Sequence, residues 1–182
     1  MSMCIGFLEY TSIGKGVEAA DLISKNTDIK IMISAANCPG RYQILFSGDV
    51  DAVKSAVELA ENIADFNFLD SLVIPRVDDS VVSALYSPNS IDIRDGVAIF
   101  ETMTMTAVIE GADTMVKTAD VEIIELRLGK GLAGKSYVTV TGSLQDLRSA
   151  MDAALENVKD RGVLISSVII PSINPELIKH LI

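Results

Sequence analysis

The chain has no tryptophan, 5% aromatic residues, one histidine and two cysteines. Each scarcity removes a class of function. The histidine, His180, lies near the C-terminus on a helix pattern with no nearby cysteine or carboxylate cluster, so a serine or cysteine triad has no local support for its base. His180 is expected to face solvent. Cys4 and Cys38 stand far apart and form no C-x-x-C, which excludes a disulfide framework in a reducing compartment. No uninterrupted apolar run approaches the roughly 20 residues that span a bilayer, so the 49% hydrophobic content is assigned to cores and subunit interfaces. Basic residues are also few: 15 Lys and Arg against 25 Asp and Glu give a net charge of -10, and the pI is near 4.5. That balance argues against nucleic acid and anionic membrane surfaces as partners. Met1-Ser2-Met3-Cys4 runs straight into a strand pattern without a basic, then apolar leader, so the expected location is cytoplasmic.

What is present is a duplication. Cys4 to Tyr86 returns as Val97 to Ile182. Glu9, Glu18, Ala20, Asp21, Lys25 and Asp28 recur as Glu101, Glu110, Ala112, Asp113, Lys117 and Asp120, each at an offset of 92. The offset becomes 94 at Gly40/Gly134, Gly48/Gly142 and Ala56/Ala150, then 96 at Pro75/Pro171, so length changes fall in connections. Two copies are too few for a solenoid and imply two small domains, 1–90 and 91–182, with Ser87 to Gly96 as linker. Each holds roughly 85 residues, a marginal core size for a domain standing alone.

Both copies show the same order of elements. Cys4–Tyr10 and Val97–Thr102 are short apolar strands. The helix from Ile13 to Lys25 is expected to bury Ile13, Val17, Ala20 and Ile23, and Met105, Ile109, Ala112 and Met115 take those places in the second copy. Asp28 to Ser34 pairs with Tyr42 to Ser47, and Asp120 to Leu128 with Ser136 to Thr141, each as a hairpin with a glycine-bearing loop. Asp49 and Ser143 are placed to cap second helices, in which Val50, Val53, Val57 and Ala60 recur at helical spacing. Last strands, Ser71 to Ile74 and Ser167 to Ile170, end at prolines, and a short helix follows each. The order β-α-β-β-α-β is that of an α+β, ferredoxin-like split βαβ unit, here in tandem.

Gly129-Lys130-Gly131-Leu132-Ala133-Gly134-Lys135-Ser136 fits the phosphate-loop pattern G-x-x-x-x-G-K-[ST]. That motif works by leading into a helix whose first amides meet phosphate, whereas here the β-branched Tyr137-Val138-Thr139-Val140-Thr141 follows. The string is therefore read as a hairpin loop that needs glycine dihedrals. Glu9 and Glu101, paired by the duplication, are expected to bond backbone or a neighbouring subunit rather than act as general acid and base. No convincing active site emerges, and the chain is not expected to be an enzyme. Cys4, in an apolar strand, reads as a small buried hydrophobe. Cys38 lies in Asn37-Cys38-Pro39-Gly40-Arg41, the first copy's hairpin loop, and should be exposed. One thiolate cannot hold an iron-sulfur cluster, although three chains around a threefold axis would present three; an ordinary loop cysteine is the plainer reading.

Ile5-Gly6-Phe7-Leu8-Glu9 followed by Thr11-Ser12-Ile13-Gly14-Lys15-Gly16-Val17-Glu18-Ala19-Ala20-Asp21 resembles the opening of a bacterial microcompartment shell domain, and Val97 through Asp113 resembles a second. Gly131-x-x-Gly134-Lys135, Ser47-Gly48-Asp49-Val50-x-Ala52-Val53 and Ile74-Pro75-Arg76 extend the likeness over nearly the whole chain, which is thus similar to tandem-domain shell proteins, in its Cys38 loop to the propanediol-utilisation type. The resemblance implies a homotrimer whose six domains imitate a hexamer, a flat tile that meets other shell proteins in a microcompartment shell. It implies a central pore lined by Asn37, Cys38, Pro39, Gly40, Lys130, Gly131 and Leu132, and tile-edge contacts at Lys25, Arg76 and Lys117. Ser172 stands where a second edge arginine would be. It also implies that Cys38 of each protomer ligates a [4Fe-4S] cluster on the threefold axis, an electron route across the shell. The competing expectations are an open metabolite pore without a cluster, a tandem ferredoxin-like regulatory protein that binds a small ligand, and a soluble electron carrier.

Overall fold

The computed structural model describes residues 3–63, 65–88 and 91–178. His180 lies outside the described residues. In chain order the elements are β1 (Cys4–Tyr10), α1 (Ile13–Asn26), β2 (Ile29–Asn37), β3 (Arg41–Gly48), α2 (Val50–Ile63), β4 (Phe68–Ile74) and α3 (Asp79–Ala84). The second repeat follows with β5 (Gly96–Thr102), α4 (Met105–Thr118), β6 (Val121–Leu128), β7 (Ser136–Gly142), α5 (Leu144–Val158), β8 (Leu164–Ile170) and α6 (Pro175–Ile178). The sheets run β2-β3-β1-β4 and β6-β7-β5-β8, antiparallel throughout. This is the split βαβ topology expected from the element order, twice.

Two compact units result, and they do not follow the repeats strictly. One comprises Met1–Val77 with Gly129–Gly134, the other Asp78–Leu128 with Lys135–Ile182. The tip of the second repeat's hairpin thus belongs with the first repeat. Conversely α3, which closes the first repeat in sequence, lies against α4 and β6 in the second unit.

In the first unit β1 is one of the two interior strands and is buried along its whole length. Its Leu8 and Tyr10 join Ala19, Ile23, Ile44, Phe46, Val53, Ala56 and Ala60 in one apolar cluster between sheet and helices. Val53, Val57 and Ala60 of α2 are buried as their spacing predicts, with Val50 packed at the margin. Helix α1 differs from expectation. Its buried residues are Gly16, Ala19, Ala20 and Ile23, while Ile13 and Val17 are 47% and 49% exposed. The reason is a close approach: a Cβ at Gly16 would stand 2.4 Å from Tyr42 Cδ1, so the helix turns its smallest residue to the sheet and leaves Ile13 and Val17 on its flank. In α4 the same positions, Met105, Ile109, Ala112 and Met115, are fully buried, as the pattern predicts.

Strand β4 begins at Phe68 and β8 at Leu164, three residues before the sequence reading placed them, because bulges at Glu9/Tyr10 and Glu101/Thr102 shift the register and extend the pairing past the polar Asp70 and Ser166. Ser143 Oγ accepts from Asp146 N at 3.2 Å and caps α5 as expected. Ser12 and Thr104, which the sequence reading did not single out, cap α1 and α4. Cys4 is buried, and desolvation, opposed by the charge of Lys54, raises its thiol pKa.

The Tyr10 ring meets Phe68 edge-on at 5.6 Å, and its hydroxyl donates to the Ala60 carbonyl at 3.2 Å. Burial first, and the charge of Glu61 second, push its pKa far above the ordinary tyrosine value. The neutral form is favoured in the fold, so this contribution is complete below the unfolded value of about 10 and is lost as pH rises above it. Urea unfolding of the wild type should therefore weaken more steeply above pH ~10 than that of Tyr10→Phe, which at neutral pH should be less stable by about 1 kcal/mol.

Candidate functional site

The two hairpin loops are built differently at equivalent places. In the first, β2 and β3 pair up to Asn37↔Arg41, leaving Cys38, Pro39 and Gly40 as an exposed tip. Asn37 organises it. Its Oδ1 accepts from the Cys38 amide at 2.8 Å, its carbonyl accepts from the Gly40 amide at 2.9 Å, and its Nδ2 donates to Gln43 Oε1 at 3.2 Å. Gly40 has φ +95°, open to glycine without strain. Cys38 is a free, exposed thiol at the apex of this braced turn.

The second loop is longer. β6 ends at Leu128, paired with Ser136 of β7, and Gly129–Lys135 spans the turn. Gly129, Gly131, Ala133 and Gly134 all have φ between 52° and 88°. A chain of left-handed residues running into a strand is a hairpin and not a phosphate loop, as the alternating residues after it foretold. Lys130 and Gly131 are exposed and Leu132 is half-buried.

Within the first unit these loops touch. A Cβ on Gly129 would lie 2.9 Å from Asn37 Nδ2, and one on Gly134 would lie 3.0 Å from both Arg41 Cζ and Pro39 Cδ. Asn37 and Pro39, two of the residues assigned to the pore from sequence, thus lie against the two ends of the tip that carries Lys130, Gly131 and Leu132. What the sequence reading missed is the pair beneath them. Glu9, on β1, is fully buried, and Arg41 Nη1 donates to its Oε1 at 3.1 Å. The same Nη1 lies 3.1 Å from the Gly134 carbonyl. In the second repeat Lys135 Nζ donates to Glu101 Oε1 at 3.1 Å. Glu9 and Glu101 were expected to bond backbone or another subunit rather than act as general acid and base; each also holds a cation of its own repeat, because Arg41, which opens β3, and Lys135, just before β7, lie beside the end of the strand that carries the glutamate. The offset of 94 that relates Gly40 to Gly134 also relates Arg41 to Lys135, and this was the available signal.

The residues assigned to tile edges lie on helix ends and a turn. Lys25 pairs with Asp21 at 2.7 Å on an exposed face. Lys117 pairs with Asp113. Arg76 is exposed in the turn after Pro75, and Ser172 occupies the matching exposed turn. The two helix ends differ in one respect: Asp113 is buried and also accepts from the Asp78 amide at the start of α3, at 2.8 Å. Among the described residues no group of three or more His, Cys, Asp or Glu could hold a metal ion, and no helix is long and apolar enough to cross a membrane.

The BMC domain model matches the chain twice, at residues 4–77 and 97–173. The chain belongs to the bacterial microcompartment shell protein family. Among relatives of this shell protein, the bacterial microcompartment shell protein PduT of Citrobacter freundii is 37% identical over 171 residues, covering 94% of this chain and 93% of the relative. A microcompartment protein of Desulfitobacterium hafniense has a solved structure that superposes with TM-score 0.85 at 34% identity, covering 98% of this chain and 99% of the other. A fused permuted hexameric shell protein from the RMM microcompartment shares the fold, with TM-score 0.64 at 20% identity over 86% of this chain and 81% of the other.

The two thiols of this shell protein should separate cleanly. In cluster-free protein a thiol reagent should label one cysteine per chain under native conditions, Cys38, and the second, Cys4, only in denaturant; peptide mapping checks the assignment.

Proposed function

We propose that the chain is a non-enzymatic shell tile that assembles as a homotrimer, with the paired hairpin loops around a central opening and Cys38 of three protomers holding a [4Fe-4S] cluster there. The observation that supports a contact between copies is a mismatch in burial between equivalent positions. Met105 and Ile109 are fully buried, whereas Ile13 and Val17 are about half exposed. Val81 of α3 is fully buried against the second unit, whereas Leu177, its counterpart in α6 at the offset of 96, is 48% exposed. β6 is largely buried and β2 only half so.

One chain therefore carries a satisfied contact, α3 on α4 and β6, and the two unsatisfied halves of the same contact. The α6 end of one copy fits the α1 and β2 flank of the next. Such a head-to-tail contact closes into a ring when its rotation allows. By the same equivalence Asp21 would accept from the Asn174 amide of the adjoining copy, as Asp113 accepts from Asp78. Lys25, Arg76 and Lys117 would then lie on the rim, available to neighbouring tiles, and the cytoplasmic microcompartment shell is the proposed location.

The cluster fits only the assembled state. Each chain offers one exposed thiol on a turn fixed by Asn37, and a cubane cluster takes about four ligands, so three chains would supply three and an external ligand the fourth. The cluster would supply one-electron transfer; the chain supplies the thiolate and a braced loop. Without it, the same opening is a metabolite pore.

Sedimentation should give about three times the 19.5 kDa chain mass for the wild type and a smaller species for Val17→Asp, a change at an exposed site that leaves the monomer core intact. A wild-type monomer, or an unaltered trimer in Val17→Asp, would remove this seam. Anaerobic reconstitution with iron and sulfide, followed by electron paramagnetic resonance, should give a cluster signal in the wild type and none in Cys38→Ser. Equal uptake in both proteins removes the cluster and leaves the open pore.

A further inference from the structure

The two repeats hold their interior-strand glutamates with different cations, and the difference has a geometric result. Lys135 answers Glu101 with a single ammonium on a flexible stem. Arg41 answers Glu9 with a planar guanidinium whose Nη1 is within 3.1 Å of two acceptors, the Glu9 carboxylate and the Gly134 carbonyl. Glu9 is fully buried and the Arg41 side chain is 16% exposed, so this contact is shielded from water. Gly134 is the last residue of the segment that joins the first unit, although it belongs to the second repeat.

We propose that Arg41 is a positioning residue that fastens the second repeat's hairpin tip to the Cys38 loop, so that each chain presents the two loops as one lobe. Two observations and the chemistry of the side chain support it beside the hydrogen bond itself. The Gly129 and Gly134 backbones approach Asn37, Pro39 and Arg41 so closely that a side chain at either glycine would strike them. Asn37 is fixed in turn by its bonds to Cys38 and Gln43, so the surface that Gly129 meets is rigid. The guanidinium is a planar fork with a delocalised charge, suited to hold a carboxylate and a carbonyl in one arrangement; an ammonium is a point charge that follows the carboxylate.

The consequence deepens the hub proposed above and rests on it only for the number of lobes. In such a hub each Cys38 loop moves together with the second hairpin tip of its own chain. In the second repeat Lys135, at the place of Arg41, holds Glu101 with an ammonium in place of the guanidinium.

The test uses the full-length protein and reads the loop directly. Hydrogen–deuterium exchange on peptides covering residues 129–134, with trypsin cleavage after Lys130 as a second readout, is compared among wild type, Arg41→Lys and Arg41→Gln. Arg41→Lys keeps a cation for Glu9 and should raise exchange in 129–134 by about tenfold, with β5 and α4 unchanged and cleavage at Lys130 faster. Arg41→Gln should do the same and also lower the melting temperature, because Glu9 is left buried without its cation. A cation needed only for overall stability would lower the melting temperature without singling out this loop. Unchanged loop exchange in Arg41→Lys overturns the proposal, whether or not Arg41→Gln folds. Failure of the trimer or of the cluster would show in sedimentation or iron content, which this experiment does not measure.

Discussion

Each repeat has a flank, formed by its first helix and its second strand, that its own sheet and helices do not cover. In the second repeat α3 lies against that flank, and Met105, Ile109 and Ile123 are fully buried. In the first repeat the flank stays open, and Ile13 and Val17 remain half in water. An aliphatic side chain left exposed forgoes about 1.5–3 kcal/mol relative to full burial, a serious loss for domains with small cores. Duplicating such a domain in one chain satisfies the contact once and leaves the first repeat's flank, and Leu177 of α6, exposed. The hydrophobicity without a membrane span, the exposed Leu177 and the mismatch between α1 and α4 are all expressions of this one constraint.

Duplication also frees the copies to diverge where they meet at the loops. The first loop is short, carries Cys38, and is braced by Asn37; the second is glycine-rich and takes left-handed dihedrals. Beneath them the glutamates at positions 9 and 101 are retained while their cations differ. A buried carboxylate whose partner is removed costs about 3–5 kcal/mol, so Glu9 ties the identity of position 41 to the stability of the fold as well as to the geometry of the loops. Among the described residues, buried serines and threonines occur in the second copy: Thr102, Thr104, Thr106, Ser136, Thr139 and Thr141. Thr141 Oγ1 donates to the Gly96 carbonyl at 2.8 Å and accepts from the Arg94 amide at 2.9 Å, which fastens the end of the linker to the second sheet.

Much of this is legible in the sequence. The constant offsets set the repeat and its boundaries, and the alternation of apolar runs with turn residues gave the split βαβ order, since strands and helices answer to local periodicity. The rejection of the phosphate loop rested on the β-branched residues after it, and the structure places β7 there. The burial of α1 was misjudged because Ile13 and Val17 are apolar at helical spacing, and periodicity reports which residues prefer burial, not whether a surface is present to bury them. The Arg41–Glu9 pair was missed because its members are 32 residues apart and meet only through strand register.

The sequence by itself determined the duplicated fold, the family and the exposure of the Cys38 turn, because each depends on patterns within a few dozen residues or on repetition of a whole segment. Tertiary structure alone decided that the second hairpin tip belongs to the first unit, that α3 serves the second, and which cation answers each glutamate. Those contacts join residues remote along the chain, and their energies depend on distances and burial that no local pattern encodes.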